Sequence, residues 1–247
     1  MMRMPWLGLW MLSALAVVAP AHAARDQLRR IVQHQCLPHW LQQHEAAPCL
    51  RVWVPASGVQ DGYALLADRK GGAHLLLIPL RRLDGIESPE LLQPGMPHYF
   101  AAAWQAREQL AARAAHPLAF DAVALAINSR YSRTQDQLHI HIECQNAALH
   151  TALTQQAAQL NEQWVPLRIG GDTYYARSVK GAALVRTDPF ALLNEEIPAA
   201  RGHMGRYTLV LAGLRLPDGP GFALLERRAV LHGGEALLDS TCAVAGH

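Results

Sequence analysis

The sequence predicts an α+β fold, an antiparallel sheet with a long helix packed on it, and three stretches carry that prediction. Residues 138–144 (LHIHIEC) alternate strictly between apolar and polar, the period of a strand. Residues 122–128 (AVALAIN) are apolar almost throughout, the pattern of a strand buried on both faces. Residues 98–115 contain neither Gly nor Pro and are rich in helix formers, which predicts one long helix.

The remaining elements follow in chain order. Arg3 precedes an almost unbroken apolar run from Pro5 to Ala19, and Ala21-His22-Ala23 supplies a small-x-small site. That order is the order of a secretory signal peptide, or of a membrane anchor if it is retained. Residues 1–23 are therefore assigned to export and residues 24–247 to a single exported domain. Residues 25–34 read as a short helix. Residues 36–54 read as a segment held by a disulfide. Residues 62–67 and 73–79 read as strands joined by a turn at Lys70-Gly71-Gly72, and residues 88–97 as a Pro-rich loop. After the alternating strand come a helix at 147–163, strands at 173–179, 206–212 and 221–226, and a short helix around 189–194.

Bulk properties exclude some functions. The chain carries 22 basic and 20 acidic residues, a net charge of +2, which gives no electrostatic case for binding nucleic acid. The four cysteines, Cys36, Cys49, Cys144 and Cys242, contain no CxxC pair. In an exported chain an even count favours disulfides over a zinc site. Three pairings are possible. The local one, Cys36–Cys49, leaves Cys144–Cys242, which ties the C-terminal tail to the histidine strand.

That strand is the candidate site. Alternation places Leu138, Ile140 and Ile142 on one face and His139, His141 and Glu143 on the other, the two histidines about 7 Å apart along the strand. Three readings compete: a solvated polar face, a zinc site of His139, His141 and Glu143, and an imidazole nucleophile that attacks phosphorus. The preceding turn decides for the last. Asn128, Ser129, Arg130, Arg133, Thr134 and Gln135 bring hydroxyl, amide and guanidinium groups to the mouth of the hairpin, and arginine forks match phosphate oxygens.

The spacing Gln137-x-His139-x-His141 after Asn128 resembles the histidine triad superfamily of nucleotide hydrolases and transferases. There the pattern is three alternating histidines, and the middle one is nucleotidylated. Leu75 to Arg82 (LLLIPLRR) is similar to that superfamily's strand ending in Pro, with Arg82 where His is frequent. Further segments sharpen the resemblance to the CDP-diacylglycerol pyrophosphatases: Cys36-Leu37-Pro38, Glu87-Ser88-Pro89, Trp104 to Arg107, Ala126 to Arg130, His141-Ile142 with Cys144, and His203 to Tyr207. The similarity spans nearly the whole chain after the signal.

The resemblance implies a triad-like fold and hydrolysis of CDP-diacylglycerol to CMP and phosphatidate at the outer, periplasmic face of the inner membrane. It makes His139 the nucleophile, oriented by the backbone carbonyl of Gln137, with His141 as the phosphate-binding third position. The other frame, with His141 as nucleophile and Glu143 third, sets a carboxylate against a phosphate and is disfavoured. Arg82, Asn128, Ser129, Arg130, Arg133, Gln135 and His203 are the expected substrate contacts. Since arginines supply the positive charge, neither metal nor cofactor is expected. Two rivals stand beside this reading: an exported hydrolase of soluble nucleotide diphosphate esters, and a decayed lipid-binding envelope protein.

Overall fold

Ten antiparallel strands build one sheet in a computed structural model that describes residues 25–69, 71–229 and 231–246. The signal or anchor segment and Lys70 lie outside the described residues. Strand β1 (Arg51–Trp53) pairs with β2 (Tyr63–Ala67), β2 with β3 (Leu75–Pro79), and β3 with β5 (Ile140–Gln145). β5 then pairs with β4 (Val123–Ile127). The order continues through β8 (Tyr207–Leu216) and β9 (Gly219–Arg228) to β7 (Asp172–Lys180) and β6 (Val165–Ile169). A two-residue strand, β10 (Leu238–Asp239), pairs with the end of β5 at Cys144 and Gln145.

The helices are short. Residues Gln27–Ile31 (α1) and Leu37–Gln43 (α2) are joined by a π-turn at Val32–Cys36. The expected helix over 98–115 is instead two pieces, α3 (Tyr99–Gln105) and α4 (Arg107–Ala111). It starts as the sequence predicts, with the His98 Nδ1 accepting from the Ala101 amide at 3.0 Å. It breaks at Ala106, where ψ opens to −8° and the Arg107 guanidinium donates to the Trp104 carbonyl at 2.8 Å. That side chain also lies over the Trp104 ring, which packs edge-on against Phe120 and Phe222. The helix bends to seat this cluster; propensity alone does not register that demand. The helix at 147–163 stops early, as α5 (Ala147–Gln156), and α6 spans Pro189–Glu196.

Burial explains where the site falls. One face of the sheet carries Leu75, Leu77, Val123, Leu125, Ile140, Ile142, Leu209 and Leu211, covered by α3, α4 and α6 through Phe100, Trp104, Leu110 and Phe190. The other face carries two separate clusters. Helices α1 and α2 cover β1 to β3 through Val32, Cys36 and Leu37 against Leu66, Leu76 and Ile78. Helix α5 covers β4 and β6 to β9 through Leu149 and Leu153 against Ala126, Val210 and Leu225. Strand β5 lies between those two covers, and its residues on this face are His139, His141 and Glu143 rather than apolar ones. The alternation read from sequence thus sets correctly which face of β5 is apolar, and the polar face is buried as well, between the two covers.

Both expected disulfides are present, Cys36–Cys49 and Cys144–Cys242, across sequence separations of 13 and 98 residues. The second one fastens the C-terminal segment beside β5. Among the described residues no helix is long and apolar enough to cross a membrane.

Candidate active site

The gap between the two helical covers forms a cleft of about 190 Å³. Gln27, Leu28 and Ile31 of the first helix form one wall. Leu66, Ala67 and Leu76 come from β2 and β3, Asp68, Arg69 and His74 from the connection between them, and Asn128, Thr134, Gln135, His139, His141 and Glu235 complete the lining. A larger cavity of about 550 Å³ lies elsewhere, against α3 and β1, and holds none of the histidine strand.

His139 precedes the first paired residue of β5, and its ring is 7% exposed. Its Nδ1 lies 2.7 Å from the backbone carbonyl of Gln137. A carbonyl only accepts, so Nδ1 carries the proton and Nε2 keeps its lone pair. Burial, the largest influence, pushes the His139 pKa below the ordinary imidazole value, against smaller opposing effects of the Gln137 carbonyl and Glu235. The ring is therefore uncharged at neutral pH. Gln137 is itself anchored: its side-chain amide donates to the carbonyls of Pro79 at 3.1 Å and Arg81 at 3.0 Å. That clamp ties the start of the histidine strand to the end of β3.

His141 sits 5.0 Å from His139, ring centre to ring centre, in an edge-on arrangement. Its Nδ1 is 3.0 Å from His74 Nε2, and its Nε2 is 3.3 Å from a Glu235 carboxylate oxygen. His74 in turn lies 3.2 Å from Glu143. Pairing accounts for the grouping: Leu75 faces Ile142 across β3 and β5, which brings the preceding His74 beside Glu143. Ala124 and Ala126 oppose Glu143 and His141 on β4, and their small side chains leave room for the polar cluster.

Glu235 reaches the site on a turn at Gly234–Leu237. Asn128 holds that turn by accepting from the Glu235 amide at 3.3 Å. Gly233 permits the approach, since a Cβ there would lie 1.9 Å from the Asn128 side-chain oxygen. Gln135 performs a similar task on the opposite wall, accepting from the Leu28 amide at 3.0 Å.

Of the residues expected from sequence, the structure brings Asn128, Gln135, His139 and His141 to the cleft and places Gln137 directly behind it. Arg82, Ser129, Arg130, Arg133 and His203 are not among its lining residues. Arg133 is buried in ion pairs with Glu87 at 2.7 Å and Asp136 at 3.1 Å, above Gly85. Arg82 is largely exposed and turns toward Asp84. Arg130 lies over the Tyr131 ring at the surface, and His203 is exposed on a separate turn. The Ser129 hydroxyl donates to the Ala229 carbonyl at 2.8 Å. The three arginines expected as a clamp thus lie outside the cleft lining, Arg82 and Arg133 beside carboxylates and Arg130 over an aromatic ring. Arg69 is the basic residue among the described lining residues. His74, Asp68, Arg69 and Glu235 were not legible as site residues, since strand register and the C-terminal disulfide, not local motif, deliver them.

An antiparallel α+β chain whose sheet presents a carbonyl-oriented histidine to a cleft, beside further buried histidines and carboxylates, holds the groups that acid–base or nucleophilic chemistry uses. Comparison with known proteins narrows this: the chain belongs to the CDP-diacylglycerol pyrophosphatase family, whose model matches residues 23–246. It is similar to the CDP-diacylglycerol pyrophosphatase of Yersinia pestis, 42% identical over 229 residues that cover 90% of this chain and 86% of that protein.

Proposed function

We propose that this chain hydrolyses the pyrophosphate bond of CDP-diacylglycerol through a nucleotidyl-histidine intermediate, with His139 as nucleophile. The family membership supports the substrate. The observation that carries the mechanism is the 2.7 Å contact between His139 Nδ1 and the Gln137 carbonyl. It fixes the tautomer whose Nε2 lone pair attacks, the role expected of a middle triad position.

The steps balance simply. His139 Nε2 forms a bond to the phosphorus on the CMP side, and the bond from that phosphorus to the bridging oxygen breaks, releasing phosphatidate. Water then attacks the phosphorus of the adduct, giving CMP and the free imidazole. His141 stands 5.0 Å away. A phosphate oxygen entering the cleft would replace the Glu235 carboxylate on His141 Nε2, because Glu235 is 40% exposed on a turn and can swing aside. Arg69 would meet the second phosphate. Leu28, Ile31, Leu66 and Leu76 line the opposite wall and offer an apolar path toward the lipid. Helix α1 follows directly on the N-terminal segment, so a chain exported and held at the inner membrane would present this wall to the bilayer surface.

In the alternative nucleophile, His141, Nδ1 faces His74 at 3.0 Å and Glu143 at 3.9 Å. A comparison of CDP-diacylglycerol with water-soluble CDP esters tests the substrate. Faster turnover of the lipid supports the proposal. Equal or faster turnover of the soluble esters favours the rival hydrolase, and absence of turnover on both favours the lipid-binding protein.

A further inference from the structure

We propose that His74, His141 and Glu143 form a binding site for a divalent transition-metal cation, with zinc the best match. The proposal does not depend on His139 being the nucleophile.

Geometry carries it. His74 Nε2, His141 Nδ1 and a Glu143 carboxylate oxygen converge, separated by 3.0, 3.2 and 3.9 Å. Zinc binds imidazole nitrogen and carboxylate oxygen at about 2.0–2.2 Å in a tetrahedron, which places neighbouring ligand atoms about 3.4 Å apart. The three atoms therefore already stand at the corners of such a shell, all on buried side chains. A fourth corner remains for water or a phosphate oxygen.

The surroundings have the form of an outer shell. Metal-bound imidazoles present their other nitrogen to a carboxylate or carbonyl, which fixes the tautomer. His74 Nδ1 lies 4.0 Å from Asp68, and His141 Nε2 lies 3.3 Å from Glu235. Each histidine thus has one nitrogen on the proposed ion and the other toward a separate carboxylate.

Charge points the same way. Asp68 and Glu235 line the cleft against one arginine, Arg69, and Glu143 lies just behind, while Arg82, Arg130 and Arg133 are not among its lining residues. A diphosphate entering here would meet net negative charge unless a cation offset it. The sequence reading drew that positive charge from arginines; the proposed site draws it from a cation. The ligand set also differs from the one a single strand suggests, with His74 in place of His139.

The test is metal binding by protein without a histidine tag, stripped with a chelator and then titrated with Zn²⁺, with Co²⁺ as a spectroscopic probe. The intact protein should take up one equivalent, and its cobalt form should show the intense visible bands of tetrahedral coordination. His74→Ala and the isosteric Glu143→Gln should lose both signals. Asp68→Asn and Glu235→Gln should weaken zinc binding by about 10–100-fold. His139→Ala should keep the bands. Melting curves confirm that each variant is folded, and the surface variant Asp68→Asn carries the test if the buried ones are not. Absence of stoichiometric binding by the intact protein would overturn the site. So would binding that survives His74→Ala and Asp68→Asn, or that is lost only with His139→Ala.

Discussion

The ring of His139 is held by the backbone of Gln137, two residues earlier in the segment that leads into β5, through a 2.7 Å hydrogen bond from Nδ1 to the carbonyl. A main-chain carbonyl survives any substitution at 137, so the orienting contact does not require histidine there. What the Gln137 side chain adds is the clamp on the Pro79 and Arg81 carbonyls. Gln137→Ala leaves buried carbonyls without donors and should cost about 1–3 kcal/mol of stability. It should still form a covalent nucleotide adduct. Urea unfolding and adduct detection on the same preparation separate the two effects.

The pH dependence of turnover follows from the same residue. Burial lowers the His139 pKa below the ordinary value of about 6.5. The attacking form is the neutral one, which accumulates as pH rises through that lowered pKa. The acid limb of kcat/KM should therefore fall below about pH 6.5, with a plateau through neutrality. A limb centred above pH 7 would show that another group controls the step.

A second titration governs stability rather than rate. Glu226 is buried on β9, opposite Leu209 and Tyr175, and burial raises its pKa from 4.5 to about 7. A carboxyl with a raised folded pKa holds its proton more tightly when folded. Its contribution is complete below the unfolded value and is lost as pH rises through about 7. The difference amounts to about 3 kcal/mol across that window. Glu226→Gln should flatten the dependence of the urea midpoint on pH between about 4.5 and 8. An unchanged slope would remove Glu226 as its source.

The Cys144–Cys242 bridge closes a loop of 98 residues and holds β10, with the Glu235 turn just before it, against β5. By chain entropy its loss should destabilise by about 4–5 kcal/mol, against about 3 kcal/mol for Cys36–Cys49. The paired Cys144→Ala, Cys242→Ala variant should also lose turnover beyond what unfolding explains, because the Glu235 turn is freed. Thermal melts and kinetics well below the melting point check both parts.

Legibility in the sequence divides along physical lines. The period-2 pattern of residues 138–144 specifies which face of β5 is apolar, because alternation is a local property of a strand. The apolar run at 122–128 marks a central strand for the same reason. The helix at 98–115 was read too long, since its break is set by Trp104 and Arg107 packing against distant Phe120 and Phe222. The arginines near the hairpin looked like phosphate ligands by composition. Ion pairing to Glu87 and Asp136 is a tertiary fact that composition does not carry. His74 and Glu235 reach His141 from 67 and 94 residues away in sequence, through register and a disulfide. The cysteine count gives the disulfide, but no single-sequence pattern gives the register or marks these two side chains as neighbours of His141.

The most direct test of the nucleophile is to quench the reaction with CDP-diacylglycerol in detergent and locate any CMP-protein adduct by mass spectrometry. Wild type, His139→Ala and His141→Ala are compared. The account predicts an adduct on His139 in wild type, none in His139→Ala, and a slowed but detectable adduct on His139 in His141→Ala. An adduct on His141, or one that persists in His139→Ala, would contradict it.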